Sequence, residues 1–215
     1  GNLTYYLTHG GTMEPATFSH YWVIIVLTII SIISAIYLMY RIYFIDIKND
    51  YFEREPKQIG GWLILPAIGI AITPLRVLYD LIVNADLFDQ QVWVNLASLE
   101  NEGLLIFVGV ELIYNIFFLF FSVLLAILFF QRRSSVRLMA TIFYSLNFVV
   151  LLLDTMISSH LLPSGLLTGA DNNQSSKEII QSGVAALIWI PYFNISLRVR
   201  ETFVVKLKNE DDIDP

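Results

Sequence analysis

Apolar positions along the chain gather into five long runs, separated by short polar stretches. The runs cover about 22–45, 61–83, 104–130, 137–161 and 179–197. A mostly apolar run of roughly 18 residues or more is long enough to cross a bilayer as a helix. None of the runs shows the period-two alternation of a membrane barrel, and helices satisfy their own backbone groups in lipid. The pattern predicts an all-α, polytopic membrane helical bundle of about five transmembrane helices.

The polar stretches predict the orientation. Lys48, Arg54 and Lys57 follow the first run; Arg132, Arg133 and Arg137 lie between the third and fourth; Arg198, Arg200, Lys206 and Lys208 follow the fifth. Residues 1–21 and 84–104 hold no Lys or Arg, and 162–177 hold only Lys177. Basic residues near span ends mark the cytoplasmic side. Five spans put all three basic segments on one side, so the expected topology is N-out and C-in.

Local features add detail. Pro66 and Pro74 predict a kinked second helix. Ser175 and Glu178 have capping-box spacing at the expected start of the fifth helix. Trp22 and Trp62 sit at span ends, where an indole favours the interface, and Tyr37, Tyr40 and Tyr43 stripe the inner end of the first helix. Phe88, Val92, Leu96 and Leu99 are spaced for an amphipathic surface helix, with a solvated loop as the alternative. Ser31–Ala35, Ala67–Ala71 and Ser182–Ala186 are small-residue pairs that permit close helix contact. Pro191 is expected to bend or end the fifth helix, exposing carbonyls near Asn194.

Charged and amide side chains inside the runs are few: Arg76 and Asp80 in the second, Glu111 and Asn115 in the third, Asn147 and Asp154 in the fourth. A charge at mid-helix costs about 2.5–3.5 kcal/mol on insertion scales, so such groups meet partners or water. At about 1.5 Å per residue, Arg76, Glu111 and Asp154 all lie roughly 10 Å from the outer ends of their spans, and Asp80 roughly 5 Å. The expectation is a buried polar cluster of Arg76, Asp80, Glu111, Asn115, Asn147 and Asp154. One guanidinium can bind two carboxylates in forked geometry. Three carboxylates leave an excess of negative charge that a proton or cation would balance. Structural glue between helices is the reading preferred to such a site.

Composition narrows the function classes. The chain has 215 residues, 56% hydrophobic and 15% charged, with mean hydropathy +0.64 and net charge −6. That balance argues against nucleic-acid binding. With no Cys there are no disulfides or thiol nucleophiles. Neither an H-E-x-x-H nor a G-x-S-x-G motif is present. Asp80 and Asp154 lie on two spans, as in intramembrane aspartyl proteases, but without the glycine-rich motif that accompanies the second aspartate there. His9, His20 and His160 have no metal-site spacing. No cofactor or metal is expected. Tyr5 stands where a myristoylation signal needs Ser or Thr, and no basic region precedes the first run, so it reads as a retained span.

The stretches "IGGWLILPAIGIAITPLR", "FFQRRSS" and "AALIWIPYFNISLRVRETFV" resemble the bacterial integral-membrane family called domain of unknown function 2569, over about residues 58–205. The resemblance implies a membrane fold in a bacterial inner membrane and carries no activity. It divides the chain into residues 1–57 (external arm, first transmembrane helix and linker), a four-helix membrane domain at 58–205, and an acidic tail at 206–215, expected to be disordered. The expected function is that of a non-enzymatic accessory or assembly subunit. Its partners would be the lipid bilayer and another membrane protein or a second copy. The alternative is a small proton- or ion-coupled transporter or channel-like protein using the Arg76 cluster.

Overall fold

A computed structural model of the chain describes residues 15–45, 55–83, 89, 91–93, 102–161 and 169–205, the side chains of 15–21, 161 and 169–174 excepted. The helices are α1 (Pro15–Tyr43), α2 (Ile64–Val83, entered through a 3-10 turn at Gly61–Leu63), α3 (Glu102–Phe130), α4 (Val136–Leu161), α5 (Gly169–Ile195) and α6 (Leu197–Thr202). Among the described residues the one strand-like contact is a parallel bridge between Arg133 and Val205. The N-terminal arm, the expected surface positions Phe88, Leu96 and Leu99, and the acidic tail lie outside the described residues.

Among the described residues four segments are long and apolar enough to cross a membrane: Trp22–Tyr43, Gly61–Val83, Glu102–Phe130 and Val136–His160. The fifth expected span forms a helix as well. It carries Lys177, Glu178, Gln181 and Asn194 along its length and is less apolar than the others. Large aliphatic side chains point outward, among them Ile33, Leu75, Ile106, Leu153 and Leu187. In water such a surface would be strongly unfavourable, whereas in a bilayer it meets a solvent as apolar as itself. The protein is an integral membrane protein with a helical-bundle fold. Half of the α3 span is buried against 11% of the α1 span, and among the described residues α3 supplies more of the buried hydrophobic side chains than any other helix.

One local expectation changes, the cap of the fifth helix. α5 begins at Gly169, so Ser175 and Glu178 lie inside the helix and not at its cap. In α2, Pro66 falls in the first turn, where a missing N–H costs little, and Pro74 lies in the interior. The helix continues through Pro74, and the Thr73 hydroxyl donates to the Gly69 carbonyl at 2.8 Å.

The chain forms two compact units, one of Gly1–Leu38 with Pro74–Phe120, the other of Met39–Thr73 with Phe121–Pro215. In the first unit, Trp93, Leu112 and Ile116 are the buried centre, packed by Ile24, Ile32, Leu81, Leu105, Val108 and Phe120. Trp93 comes from the connection before α3, where the Asp89 carboxylate accepts from the Gln91 N–H at 2.8 Å. A cavity of about 270 Å³ beside this centre is lined by Val23, Ile24, Leu27, Trp93, Leu105 and Gly109 among others.

In the second unit α4 and α5 run antiparallel. The Asn147 amide donates to the Ser182 hydroxyl at 2.9 Å, and the Asn194 amide to the Thr141 hydroxyl at 2.9 Å. Small residues bring the helices close: Ser182 and Ala186 are buried, and a Cβ on Gly183 would sit 3.0 Å from the Phe148 ring. At the α3–α4 end, the rings of Phe129 and Phe203 are 5.0 Å apart, and Phe193 packs against both.

Candidate functional site

In the second unit, the turn "QRRSS" between α3 and α4 joins several segments of the chain. The Arg132 N–H bonds to the Phe129 carbonyl and the Arg133 N–H to the Leu128 carbonyl, both at 3.0 Å. These are the paired bonds of a Schellman helix ending. Its left-handed position is usually Gly, but here it is Arg132, with φ 56. A side chain in that conformation costs roughly 1–2 kcal/mol, so its contacts must compensate. The Arg132 guanidinium donates to the Pro56 carbonyl at 3.2 Å, and the Arg132 carbonyl accepts the Val205 N–H at 3.1 Å. The Val205 carbonyl in turn accepts the Ser134 N–H at 3.1 Å.

Arg133 is 2% exposed. Its guanidinium donates to the Tyr43 carbonyl at 3.2 Å and lies 5.5 Å from the centre of the Tyr43 ring. The Tyr43 hydroxyl donates to Gln131 at 3.1 Å. Tyr43 is thus a structural anchor for the turn, whereas Tyr37 and Tyr40 are exposed, as interface residues would be.

Four more basic residues meet at the same place. Lys57 pairs with Glu201 at 2.6 Å, and its N–H bonds to the Glu201 carbonyl. Arg198 donates to the Gln58 carbonyl at 3.3 Å. Arg137 and Arg200 both donate to the Asn194 carbonyl, at 3.4 and 3.2 Å. That carbonyl lies in the last turn of α5, where helical acceptors lack intrahelical donors. The three segments that the charge pattern assigns to one side therefore touch one another through Lys57, Arg132, Arg133, Arg137, Arg198 and Arg200. Lys48, Arg54, Lys206 and Lys208 lie outside the described residues.

This assembly also defines the course of the helices within the second unit. The end of α1, the entry to α2, the end of α3 and the start of α4 all meet there. α5 returns to it, and one chain direction per helix satisfies every contact.

The six residues expected to cluster are divided between the units. Arg76, Asp80, Glu111 and Asn115 belong to the first, Asn147 and Asp154 to the second. Arg76 Nε and Asp80 Oδ2 are 3.8 Å apart, and their side chains are 67% and 56% exposed. These two therefore face outward, where burial was expected; Ile72 and Val83, about a turn before and after them on α2, are exposed too. Glu111 is exposed; Asn115 and Asp154 are half-buried. Asn147 is engaged by Ser182. Among the described residues no three His, Asp or Glu are placed to hold a metal ion. The side chains of His9 and His20 lie outside that description.

Sequence reasoning missed two structural centres. Trp93 was passed over in a segment read for its helical spacing. Its signal was the one indole of that segment, set between Val92 and Val94. The QRRSS turn was read as a charge marker and a family marker, not as a structural centre; its adjacent arginines directly after a long apolar helix were the available signal.

Comparison with known families matches residues 56–204 to one described as "Protein of unknown function (DUF2569)". No curated protein and no solved structure matches the chain. The matched region begins at Pro56 and ends at Val204, and both of its ends lie at the basic assembly. α1 lies outside the match yet supplies Tyr43.

Proposed function

We propose that this chain, which belongs to the DUF2569 family of proteins of unknown function, is a non-enzymatic accessory or assembly subunit of a larger membrane complex. The observation that carries the reading is the outward-facing Arg76–Asp80 pair on an apolar spanning helix. Leu75 and Tyr79 beside it are also exposed. Charges facing hydrocarbon are costly. A second polypeptide seated on this face would remove the pair from lipid and pack against the aliphatic residues around it. In this reading the basic assembly is cytoplasmic, the N-terminus is outside, and the protein resides in a bacterial inner membrane.

The test is gentle-detergent purification from the native membrane after photocrosslinking from position 75, with position 33 on α1 as the comparison. A stoichiometric foreign membrane protein crosslinked from position 75, and not from 33, supports the reading. A chain that runs alone or crosslinks only to itself overturns it. The second reading, a proton- or ion-coupled transporter, draws on the half-buried Asp154 within α4. Its test is a flux in liposomes that Asp154→Asn abolishes.

A further inference from the structure

The cavity of about 270 Å³ in the first unit is walled, among the described residues, by positions 23–28 of α1, positions 105–113 of α3, and Trp93. Both helical stretches belong to membrane-spanning segments. At about 1.5 Å per residue, 23–28 lie within roughly 9 Å of the start of the α1 span, and 105–113 within roughly 17 Å of the start of the α3 span. That is the depth of acyl chains in a bilayer.

The wall is apolar. Apart from the Thr28 hydroxyl and the Trp93 indole, its described side chains are aliphatic or absent. A buried water needs about two to four polar partners, and an apolar cavity of about 150 Å³ stays dry and takes up benzene. The cavity here is larger than that. It is smaller than the about 300–1,000 Å³ of pockets that enclose a whole drug-sized molecule. Its volume suits a length of alkyl chain and not an entire lipid.

The cavity is also open to hydrocarbon. Val23, Ile106 and Val110 are each more than half exposed, whereas Trp93 and Leu112 are 1% and 2% exposed. It therefore runs from lipid-facing side chains to the buried centre of the unit. Gly109 leaves room between them. A Cβ built there would lie 3.8 Å from Ile24 Cδ1 and 4.0 Å from Trp93 Cη2, ordinary contact distances. A larger side chain at 109 would extend into the cavity. The apolar molecules that reach this depth in a bilayer are the lipid chains themselves, and the atoms lining an empty void would lose their packing contacts.

We propose that the cavity is a binding site for one acyl chain of a bilayer phospholipid, which enters past Val23, Ile106 and Val110 and ends against Trp93. The bound chain packs α1, which lies outside the family match, onto α3. The site lies between α1 and α3 and does not depend on a partner at the Arg76–Asp80 face of α2.

Trp93 serves as the reporter. The experiment uses the full chain with Trp22→Phe, Trp62→Phe and Trp189→Phe, which leaves Trp93 as the one indole. It is reconstituted in vesicles of phosphatidylcholine with or without bromine on the acyl chains, because bromine quenches indole fluorescence on contact. At 1% exposure Trp93 is shielded from the bulk bilayer, so quenching reports a chain inside the cavity. The expected result is quenching of Trp93 by the brominated lipid. It should be lost in Gly109→Leu, which fills the cavity, and reduced in Val110→Phe, which narrows its mouth. A chain retaining only Trp62, which is 75% exposed, is the control. Its quenching should be the same with and without Gly109→Leu.

A common melting temperature among the variants checks that they fold. Should Gly109→Leu lose its fold, Val110→Phe, at an exposed position, carries the comparison. Unquenched Trp93 in the folded chain overturns the proposal. Quenching undiminished in the folded cavity variants overturns the cavity as the place of contact. Quenching by a free brominated alkane but not by the brominated phospholipid overturns the lipid as the source of the chain.

Discussion

The Arg133 guanidinium lies 5.5 Å from the centre of the Tyr43 ring and donates to the carbonyl of that same residue at 3.2 Å. A helix outside the family-matched region is thereby fastened to the turn inside it. A buried arginine held by a carbonyl and a ring is not replaceable by lysine, whose ammonium is a point charge with a different reach. Arg133→Lys is expected to destabilise the protein by about 1–3 kcal/mol, the range of a charge-assisted hydrogen bond. Tyr43→Leu should cost a similar amount, about 1–2 kcal/mol from the lost ring contact and more from the bond to Gln131. Thermal unfolding of both variants in one detergent checks this.

At Arg132 the backbone and the side chain make opposing demands. The left-handed conformation favours glycine, while the guanidinium holds the Pro56 carbonyl. Arg132→Gly and Arg132→Ala both lose that bond, but only alanine retains the backbone strain. The glycine variant should be more stable than the alanine variant by roughly 1–2 kcal/mol. Equal melting temperatures would refute the strained-turn account.

Gly61 offers a simpler test of the same effect. Its φ is +63, and a Cβ there would meet no neighbour within 4 Å. Gly61→Ala therefore carries backbone strain alone, and about 1 kcal/mol of destabilisation is expected. At Gly183 the backbone is helical and the obstacle is the Phe148 ring, 3.0 Å from a built Cβ. Gly183→Leu should separate α4 from α5 and cost about 1–3 kcal/mol. Gly183→Leu with Phe148→Ala should recover part of that loss in a double-mutant cycle.

Asn147 and Ser182 join α4 to α5 by one hydrogen bond of 2.9 Å. Hydrogen bonds between membrane helices contribute modestly, about 0.6 kcal/mol on average. Asn147→Leu should lower stability by no more than about 1–2 kcal/mol, and its coupling to Ser182→Ala should be well under that. A far larger coupling energy would mean that Asn147 has a role beyond joining the helices.

Trp93 is 1% exposed at the centre of the first unit. Trp93→Ala should cost about 3–5 kcal/mol, as other large-to-small changes at buried aromatic positions do. The loss should appear as greater protease sensitivity of the connection before α3 as well as a lower melting temperature. A melting temperature unchanged from wild type would remove Trp93 from the core.

The sequence by itself determined the helices, because long apolar runs in a bilayer have few alternatives that satisfy the backbone. It also determined that Lys57, Arg132, Arg133, Arg137, Arg198 and Arg200 share one side, since charge is excluded from hydrocarbon regardless of packing. Small-residue spacing was informative too: Ser31, Ala35, Ser182 and Ala186 are all buried, although Ala71 is exposed. What only the tertiary structure decided is which partner each polar group takes. Depth along a helix says at what level Arg76 lies, but not the direction in which it points. That direction follows from the rotation of α2 about its axis, a choice made by the sum of its packing contacts. The basic end shows the same limit. One-dimensional charge counting placed six cations together, while the packing of the helix ends decided that Lys57 meets Glu201 and that the arginines donate to the carbonyls of Tyr43, Pro56, Gln58 and Asn194.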